Sequence, residues 1–480
     1  MTGQTGPKTV GQLPNTSTST PRAPAVFTRL VWALFVASVG ALVARQLTGG
    51  SWDVPGLVAV DGLTVLLWVV VTFFSGIVHR FFTRLFAFTL SVMVLVAADH
   101  VALFGAAWLA MGLVMADLIG TVRGWPQAQA AASLARRYFM ASSALLGAAL
   151  ATLAWATGAT TVSGILGAVG TVPNSILLVA AGLLLLAAMV QSALIPFHTW
   201  LLSSMTAPTP ASALMHAGFV NAGGILLLRF APVVTADATF MLLVVVVGAT
   251  SALLGKLLKA VQTDVKRKLG CSTTGQMGFM IAQAGLGFFG AAIAHLILHG
   301  FYKAYLFLSA GEQVEHTSPT KSKSGTATLA GGAVTVLTAV AGGALFALLT
   351  GKGTHLDSGL LLTGLITLTT LHATWTMVKN TDVPAAIRYG VVPLVFLPAI
   401  AVYAGVYIAV TTVLAGVPLV TAPADLTLVH GLVAVAFLAA YVAIETGLYQ
   451  RSRRLYVALV NASQPSTGTL LTSTEDYNEY

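Results

Sequence analysis

Apolar runs of about twenty residues recur along almost the whole 480-residue chain, separated by short polar or charged turns. At 1.5 Å per residue such a run, folded as a helix, crosses a hydrocarbon layer of about 30 Å. A membrane barrel strand would instead alternate polar and apolar residues over about ten positions, and these runs do not alternate. Backbone groups in lipid must find their partners inside the element, so helices are the remaining solution. Only 8% of residues are charged, against about 25% in a soluble domain, and the mean hydropathy is +0.87. The pattern predicts an all-α integral membrane protein of about fourteen transmembrane helices. Their approximate ranges are 27–47, 56–78, 81–98, 101–121, 134–157, 174–205 (broken), 211–232, 238–259, 273–288, 291–310, 329–353 (with a possible break), 358–378, 386–413 and 426–448.

The net charge of +9 raises the question of nucleic acid. The placement of the basic residues answers it. With the N-terminus cytoplasmic, only Arg45, Arg229 and Lys352 of the 24 Lys and Arg fall outside, Lys303 falls within a span, and the other twenty lie inside. This asymmetry predicts both termini in the cytoplasm and explains the charge by orientation, without nucleic acid. Residues 1–25 read as a disordered cytoplasmic lead, 26–450 as the polytopic membrane domain, and 451–480 as a basic segment followed by a disordered tail. The first apolar segment is long and follows a polar stretch, unlike the short leader of a cleaved signal peptide.

Within the apolar background, the run from Ile195 to Gly224 places Pro196, Pro208, Pro210, six hydroxyl side chains, His198 and His216 between two apolar stretches. Proline and loosened backbone at membrane depth are tolerated where protein or a hydrated cavity satisfies the freed carbonyls, so the run points to a pathway. Further on, Asp264, Lys266, Arg267 and Lys268 form a charged turn, and His295, His299 and Lys303 recur every fourth residue on one helical face. An unpaired lysine at the bilayer centre costs about 2.5–3.5 kcal/mol even on the lenient insertion scale. Either Lys303 has a cavity or partner there, or it snorkels to an interface while the histidines are hydrogen-bonded core residues. His216 can both accept and donate a proton near neutral pH. Asp117 is read as lining a hydrated path or as an interfacial carboxylate, Asp61 and Asp99 as caps or bundle pairs, and Glu312 as reaching the cytoplasmic interface.

Metal and redox chemistry find little support. His295 and His299 have zinc-ligand spacing but lack the acidic residue of HExxH and a third ligand. A single cysteine, Cys271, excludes an internal disulfide, a four-cysteine cluster and a CxxC site. Gly285, Gly287 and Gly290 match GxGxxG with no preceding strand, which reads as helix packing or a turn. No cofactor is expected in this chain.

Three long motifs then occur in order: PFHTWLLSSMTAPTPASALMHAG, VQTDVKRKLGCSTTGQMGFM and HLILHGFYKAYLFLSAG, with VDGLTVLLWVVVT and AADHVALFGAAWLAMGL upstream. Over roughly residues 56–380 the chain resembles the proton-conducting membrane subunits of respiratory complex I and of Mrp-type cation/proton antiporters. The resemblance implies two inverted five-helix units, about 81–232 and 238–378, each with a broken helix. It implies that His216, Asp264, Lys266, His295, His299 and Lys303 stand at positions of proton transfer or its control. Gln191 and the three prolines belong to the first broken helix, and Lys352 stands near the second. The sequence departs from the family at two places. Trp108 is followed by Leu109 where the family has Glu, and QSALIP carries Gln191 where the family has Lys. Within the family these departures and the short chain resemble the membrane subunit of DAB-type inorganic carbon pumps. That resemblance implies a soluble, carbonic-anhydrase-like zinc subunit as partner, with H⁺ or Na⁺ flow driving CO₂ hydration there and the zinc held by the partner. An Mrp-like antiporter subunit, a complex I or hydrogenase subunit, and a nonconducting anchor remain open. Each implies a multi-pass protein of a bacterial inner membrane, in contact with lipid.

Overall fold

The computed structural model describes residues 24–50, 52–78, 83–309, 329–379 and 384–470. Most of the expected lead, Glu312 and the last ten residues lie outside them. The helices in chain order are α1 Ala25–Thr48, α2 Gly62–Val78, α3 Arg84–Ala97, α4 Val101–Ile119, α5 Pro126–Thr157, α6 Val162–Ala168 and α7 Asn174–Gln191. There follow α8 Thr199–Ser203, α9 Thr209–Ala217, α10 Ala222–Arg229, α11 Ala231–Val234, α12 Ala238–Val261, α13 Val265–Gly285 and α14 Phe289–Leu308. The last group is α15 Leu329–Thr350, α16 Ser358–Val378, α17 Ala385–Val413, α18 Leu428–Glu445, α19 Leu448–Arg451 and α20 Arg453–Ala462. Among the described residues, eleven helical segments are long and apolar enough to cross a membrane, and shorter apolar helices such as α2 and α3 pack beside them. The fold is the all-α bundle the hydropathy pattern implied, and the described residues add a short β hairpin. Before α2, strands β1 Trp52–Val54 and β2 Val58–Val60 form an antiparallel hairpin where the hydropathy pattern had begun a helix at 56.

The loops gather at two ends of the bundle. One end joins the hairpin to Ala98 through Val58, His100 to Thr161, Asn174 to Asp237 at 3.0 Å, the Gly287 turn to Ala422 at 2.8 Å, and Asp357 to Asp425. The opposite, basic end holds Arg84 paired with Asp117, and Gln262 and Arg267 bonded to Ser463 and Gln464. Phe27 packs on Phe86 at this end, so the starts of α1 and α3 lie together. Helices α12 and α13 meet backbone to backbone. A Cβ on Gly248 would lie 2.3 Å from the Ala282 nitrogen, and one on Gly278 would lie 2.4 Å from that of Ala252. Small residues permit this approach, which is how membrane helices gain contact without a hydrophobic driving force between them. Gly287, at φ +82°, turns the chain between α13 and α14, so the GxGxxG match is helix packing and a turn.

The broken helix is real and its loose backbone is accounted for. Helix α7 stops at Gln191 and the chain resumes as α8 at Thr199, with Pro196 in the interval. Trp200 Nε1 donates to the Val190 carbonyl at 2.9 Å, Ser142 Oγ to that of Ala187 at 3.0 Å, and Trp108 Nε1 to Ser142 Oγ at 3.2 Å. Pro208 and Pro210 start α9 rather than interrupt a helix, in keeping with proline's fixed φ and missing N–H. A second interruption, unforeseen, separates α9 from α10 at Gly218 through a 3₁₀ turn at Phe219–Asn221. The break considered within 329–353 does not occur, since α15 runs unbroken to Thr350 and ends at Gly351.

Candidate functional site

The site is assembled from α9, α13 and α14. Lys303 is fully buried and donates from Nζ to the Leu269 carbonyl at 3.0 Å. That carbonyl also accepts from Thr273 Oγ1, one turn further along α13, at 3.0 Å. With its proton committed there, the Thr273 hydroxyl accepts from His216 Nδ1 at 3.0 Å. This assigns the neutral His216 ring its proton on Nδ1 and leaves Nε2 as a bare acceptor without a protein partner among the described residues. His216 lies flat on Phe307, ring centres 4.3 Å apart. Among the described residues, His299, one turn before Lys303, has no partner on either nitrogen, and its ring centre is 5.9 Å from that of His295, whose Nε2 is also unpartnered there. Among the described residues Lys303 makes no ion pair.

The other residues singled out in the sequence take different places. Asp264 is an exposed cap of α13, accepting from the Arg267 backbone N–H at 2.7 Å. Lys266 donates to the carbonyls of Met205 and Ala207 at 3.2 and 2.8 Å, closing the short turn between α8 and α9. Gln191 ends α7, fully buried, with neither amide atom partnered among the described residues. Asp117 pairs with Arg84 at 2.7 Å on the basic end and has no part in the buried cluster. Lys352 lies in the loop between α15 and α16 at the hairpin end, 4.9 Å over the Phe288 ring, where burial lowers its pKa and Asp357 opposes the shift. It therefore stands in a loop and not inside a broken helix. Asp61 caps Thr64 and pairs with Arg229 at 2.5 Å. Among the described residues no three His, Cys, Asp or Glu side chains come together as a metal site.

Residues 98–351, just over half of the chain, match the family described as NADH:quinone oxidoreductase/Mrp antiporter, TM. The chain belongs to that family. Among curated relatives, it is 37% identical over 288 residues to the probable inorganic carbon transporter subunit DabB1 of Halothiobacillus neapolitanus, covering 55% of this chain and 51% of that one. It is 38% identical over 240 residues to NADH-quinone oxidoreductase subunit L of Mycobacterium tuberculosis, covering 48% and 37%. The chain thus spans about half the length, or less, of these relatives. The fold also aligns with a solved Mrp complex from Dietzia sp., with a TM-score of 0.55 and 24% identity over 92% of this chain and 50% of that one.

This chain's structure shows where the two departures that the resemblance implied are placed. Leu109, in the place of a carboxylate, lies on the exposed face of α4, while the neighbouring Trp108 is buried and braces the break through Ser142. Gln191, in the place of a lysine, keeps a polar group at the broken end of α7 but brings no charge. Two features escaped the sequence. One is a Lys256–His372–Glu445–Lys379 cluster shared by α12, α16 and α18. Glu445 and His372, each isolated in an apolar run, were its available signal. The other is the chain after α20. Instead of a tail, residues 463–470 lie against the basic end of the break. The Ser466 backbone N–H donates to Ser203 Oγ at 3.1 Å, Thr469 Oγ1 lies at the same distance from it, and His198 Nε2 is 2.9 Å from the Ala462 carbonyl. Short polar side chains that match buried polar groups look like disorder in composition alone.

Proposed function

We propose that this chain is the membrane subunit of an energy-coupled inorganic carbon pump, conducting protons to drive CO₂ hydration in a soluble zinc-containing partner. The observation that carries the conducting part is the set of buried, unpartnered nitrogen bases of His216, His299 and His295 beside the Lys303 ammonium, among the described residues; the Leu269 carbonyl and Thr273 hydroxyl position Lys303 and His216 and pass no proton themselves. Buried nitrogens without protein partners are groups that water completes in folded proteins, and water-linked imidazoles and amines pass protons. The chemistry favours H⁺ over Na⁺. A hard cation needs several oxygen ligands and neutralising carboxylates, whereas this set offers nitrogen bases and a buried ammonium. The carbon-pump part is supported by the similarity to the probable inorganic carbon transporter subunit of Halothiobacillus neapolitanus. Catalysis and zinc would belong to the partner, and the subunit would sit in a bacterial inner membrane with its basic end and both termini in the cytoplasm.

A nonconducting anchor is the reading favoured by Leu109 and Gln191, which leave the first half of the pathway without its usual charges. Similarity to subunit L keeps a respiratory or Mrp-like assembly as the other alternative. Co-expression with a candidate carbonic-anhydrase-like soluble subunit in a carbonic-anhydrase-deficient bacterium separates these readings. Growth in ordinary air, lost when either gene is removed, supports the pump. No growth from a correctly assembled pair contradicts it.

A further inference from the structure

Among the described residues, a second group of ionisable side chains, apart from His216 and Lys303, is linked across three helices. Lys256 of α12 sets its Nζ 2.8 Å from Nε2 of His372 on α16. The second ring nitrogen, Nδ1, lies 2.7 Å from Oε1 of Glu445, the last residue of α18. The other carboxylate oxygen takes Lys379 Nζ at 3.1 Å. Tyr441 sets its ring across His372 at 5.9 Å, and Lys379 also lies 4.9 Å over the Trp375 ring. Gly255, the neighbour of Lys256 on α12, packs so closely on α13 that a Cβ there would lie 3.1 Å from the Cys271 carbonyl, two residues past the Leu269 carbonyl that Lys303 holds. The cluster therefore adjoins the buried line near the basic end.

The atoms fix the direction of the hydrogen bonds. A charged lysine only donates and an ionised carboxylate only accepts. Lys256 must then donate to a bare Nε2, and the ring proton must sit on Nδ1 and point to Glu445. Glu445 bridges α18 directly to Lys379 at the end of α16, and the imidazole adds the link to Lys256 of α12. The inserted ring gives an ordered chain from an amine to a carboxylate. When a Lys256 N–H breaks and its proton bonds to Nε2, the Nδ1–H breaks and an O–H forms on Glu445. The ring is neutral before and after, and the charges on Lys256 and Glu445 cancel. The His372 side chain is 26% exposed and that of Glu445 16%, so neither is sealed inside the bundle, and proton exchange at that opening would return the ring to its first tautomer.

The geometry points to Lys256, His372 and Glu445 as a proton wire that joins the Lys303 line to the aqueous phase between α12, α16 and α18. This assignment rests on the proton-conducting reading above. The test uses the full chain, co-purified with its soluble partner and reconstituted in liposomes that contain a pH-sensitive dye. Proton flux under an imposed pH gradient is compared for wild type, His372→Gln, Lys256→Gln and Lys303→Met. Glutamine at 372 can still accept from Lys256 and donate to Glu445 but cannot relay a proton, so a clamp would survive while a wire would not. The expected result is at least a tenfold loss of flux in His372→Gln with unchanged thermal stability. Should that variant fail to assemble, Lys256→Gln, which keeps an amide donor toward Nε2, interrogates the same step. Wild-type flux and pH profile in an assembled glutamine variant, with Lys303→Met blocked, would overturn the wire and leave the conducting reading intact. Absence of flux in the wild-type complex would overturn both.

Discussion

Replacing Lys303 by methionine removes one charge at nearly constant length, and the structure allows its cost to be worked out. The ammonium is fully buried and makes a single hydrogen bond, 3.0 Å to the Leu269 carbonyl. Losing a hydrogen bond to a charged group costs about 1.5–3 kcal/mol. Removing a charge from membrane depth returns about 2.5–3.5 kcal/mol, so the two nearly cancel. The Leu269 carbonyl is not orphaned either, because Thr273 Oγ1 still donates to it at 3.0 Å. Lys303→Met should therefore assemble at normal abundance with its partner and melt close to wild type. Proton flux should fall by about a hundred- to ten-thousand-fold, the usual worth of a positioned acid–base group. Flux of purified complexes in liposomes, normalised to co-purified partner, measures this. A normally assembled Lys303→Met complex with wild-type flux would refute the relay role and favour a purely structural lysine. Lys303→Arg should also fail, since guanidinium stays charged at any working pH. If arginine works where methionine does not, a fixed positive charge suffices.

Thr273→Val removes the hydroxyl between His216 and Leu269 and leaves Nδ1–H buried without an acceptor, which should cost about 1–3 kcal/mol and at least tenfold in flux. Thr273→Ser should restore both, and equal behaviour of the two variants would show that the hydroxyl is not part of the line. Asp61→Asn, which leaves Arg229 without its carboxylate, should destabilise the bundle by about 1–3 kcal/mol, discounted for partial exposure of the pair, with no loss of flux per assembled complex. An unchanged melting temperature would contradict that assignment. Lys268→Cys in a Cys271→Ser background, at an exposed position of the basic end, should resist an impermeant thiol reagent in intact cells and react once the membrane is opened. Ready labelling from outside would reverse the orientation.

Helices were legible because lipid admits so few alternatives: apolar length alone locates most of the bundle, and Pro196 among polar residues locates the break. The hairpin at 52–60 was legible in part, because Pro55-Gly56 marks its turn and Asp61 its end, but strands of three residues are too short to stand out from the apolar run into α2. Helix α13 begins eight residues earlier than its apolar stretch, at Val265, since Asp264 caps it and Lys266 reaches carbonyls across the turn. The i, i+4 spacing of His295, His299 and Lys303 was readable, yet the link to His216 depends on Thr273, an unremarkable threonine whose role appears only when α9, α13 and α14 meet. Asp117 and Lys352 looked equally promising as isolated charges, but nearby partners, Arg84 and the Phe288 ring, occupy them at the ends of the bundle. His372 and Glu445 lie on separate helices, and no local spacing predicts that they meet.

The central claim is that proton flow through this chain drives carbon hydration in its partner. The most direct measurement is bicarbonate formation by vesicles carrying the assembled complex, followed while an imposed proton gradient is raised and then collapsed with a protonophore. Bicarbonate accumulation that rises with the gradient, stops with the protonophore and is absent in Lys303→Met is the predicted result. Accumulation indifferent to the gradient, or preserved in Lys303→Met, would contradict it.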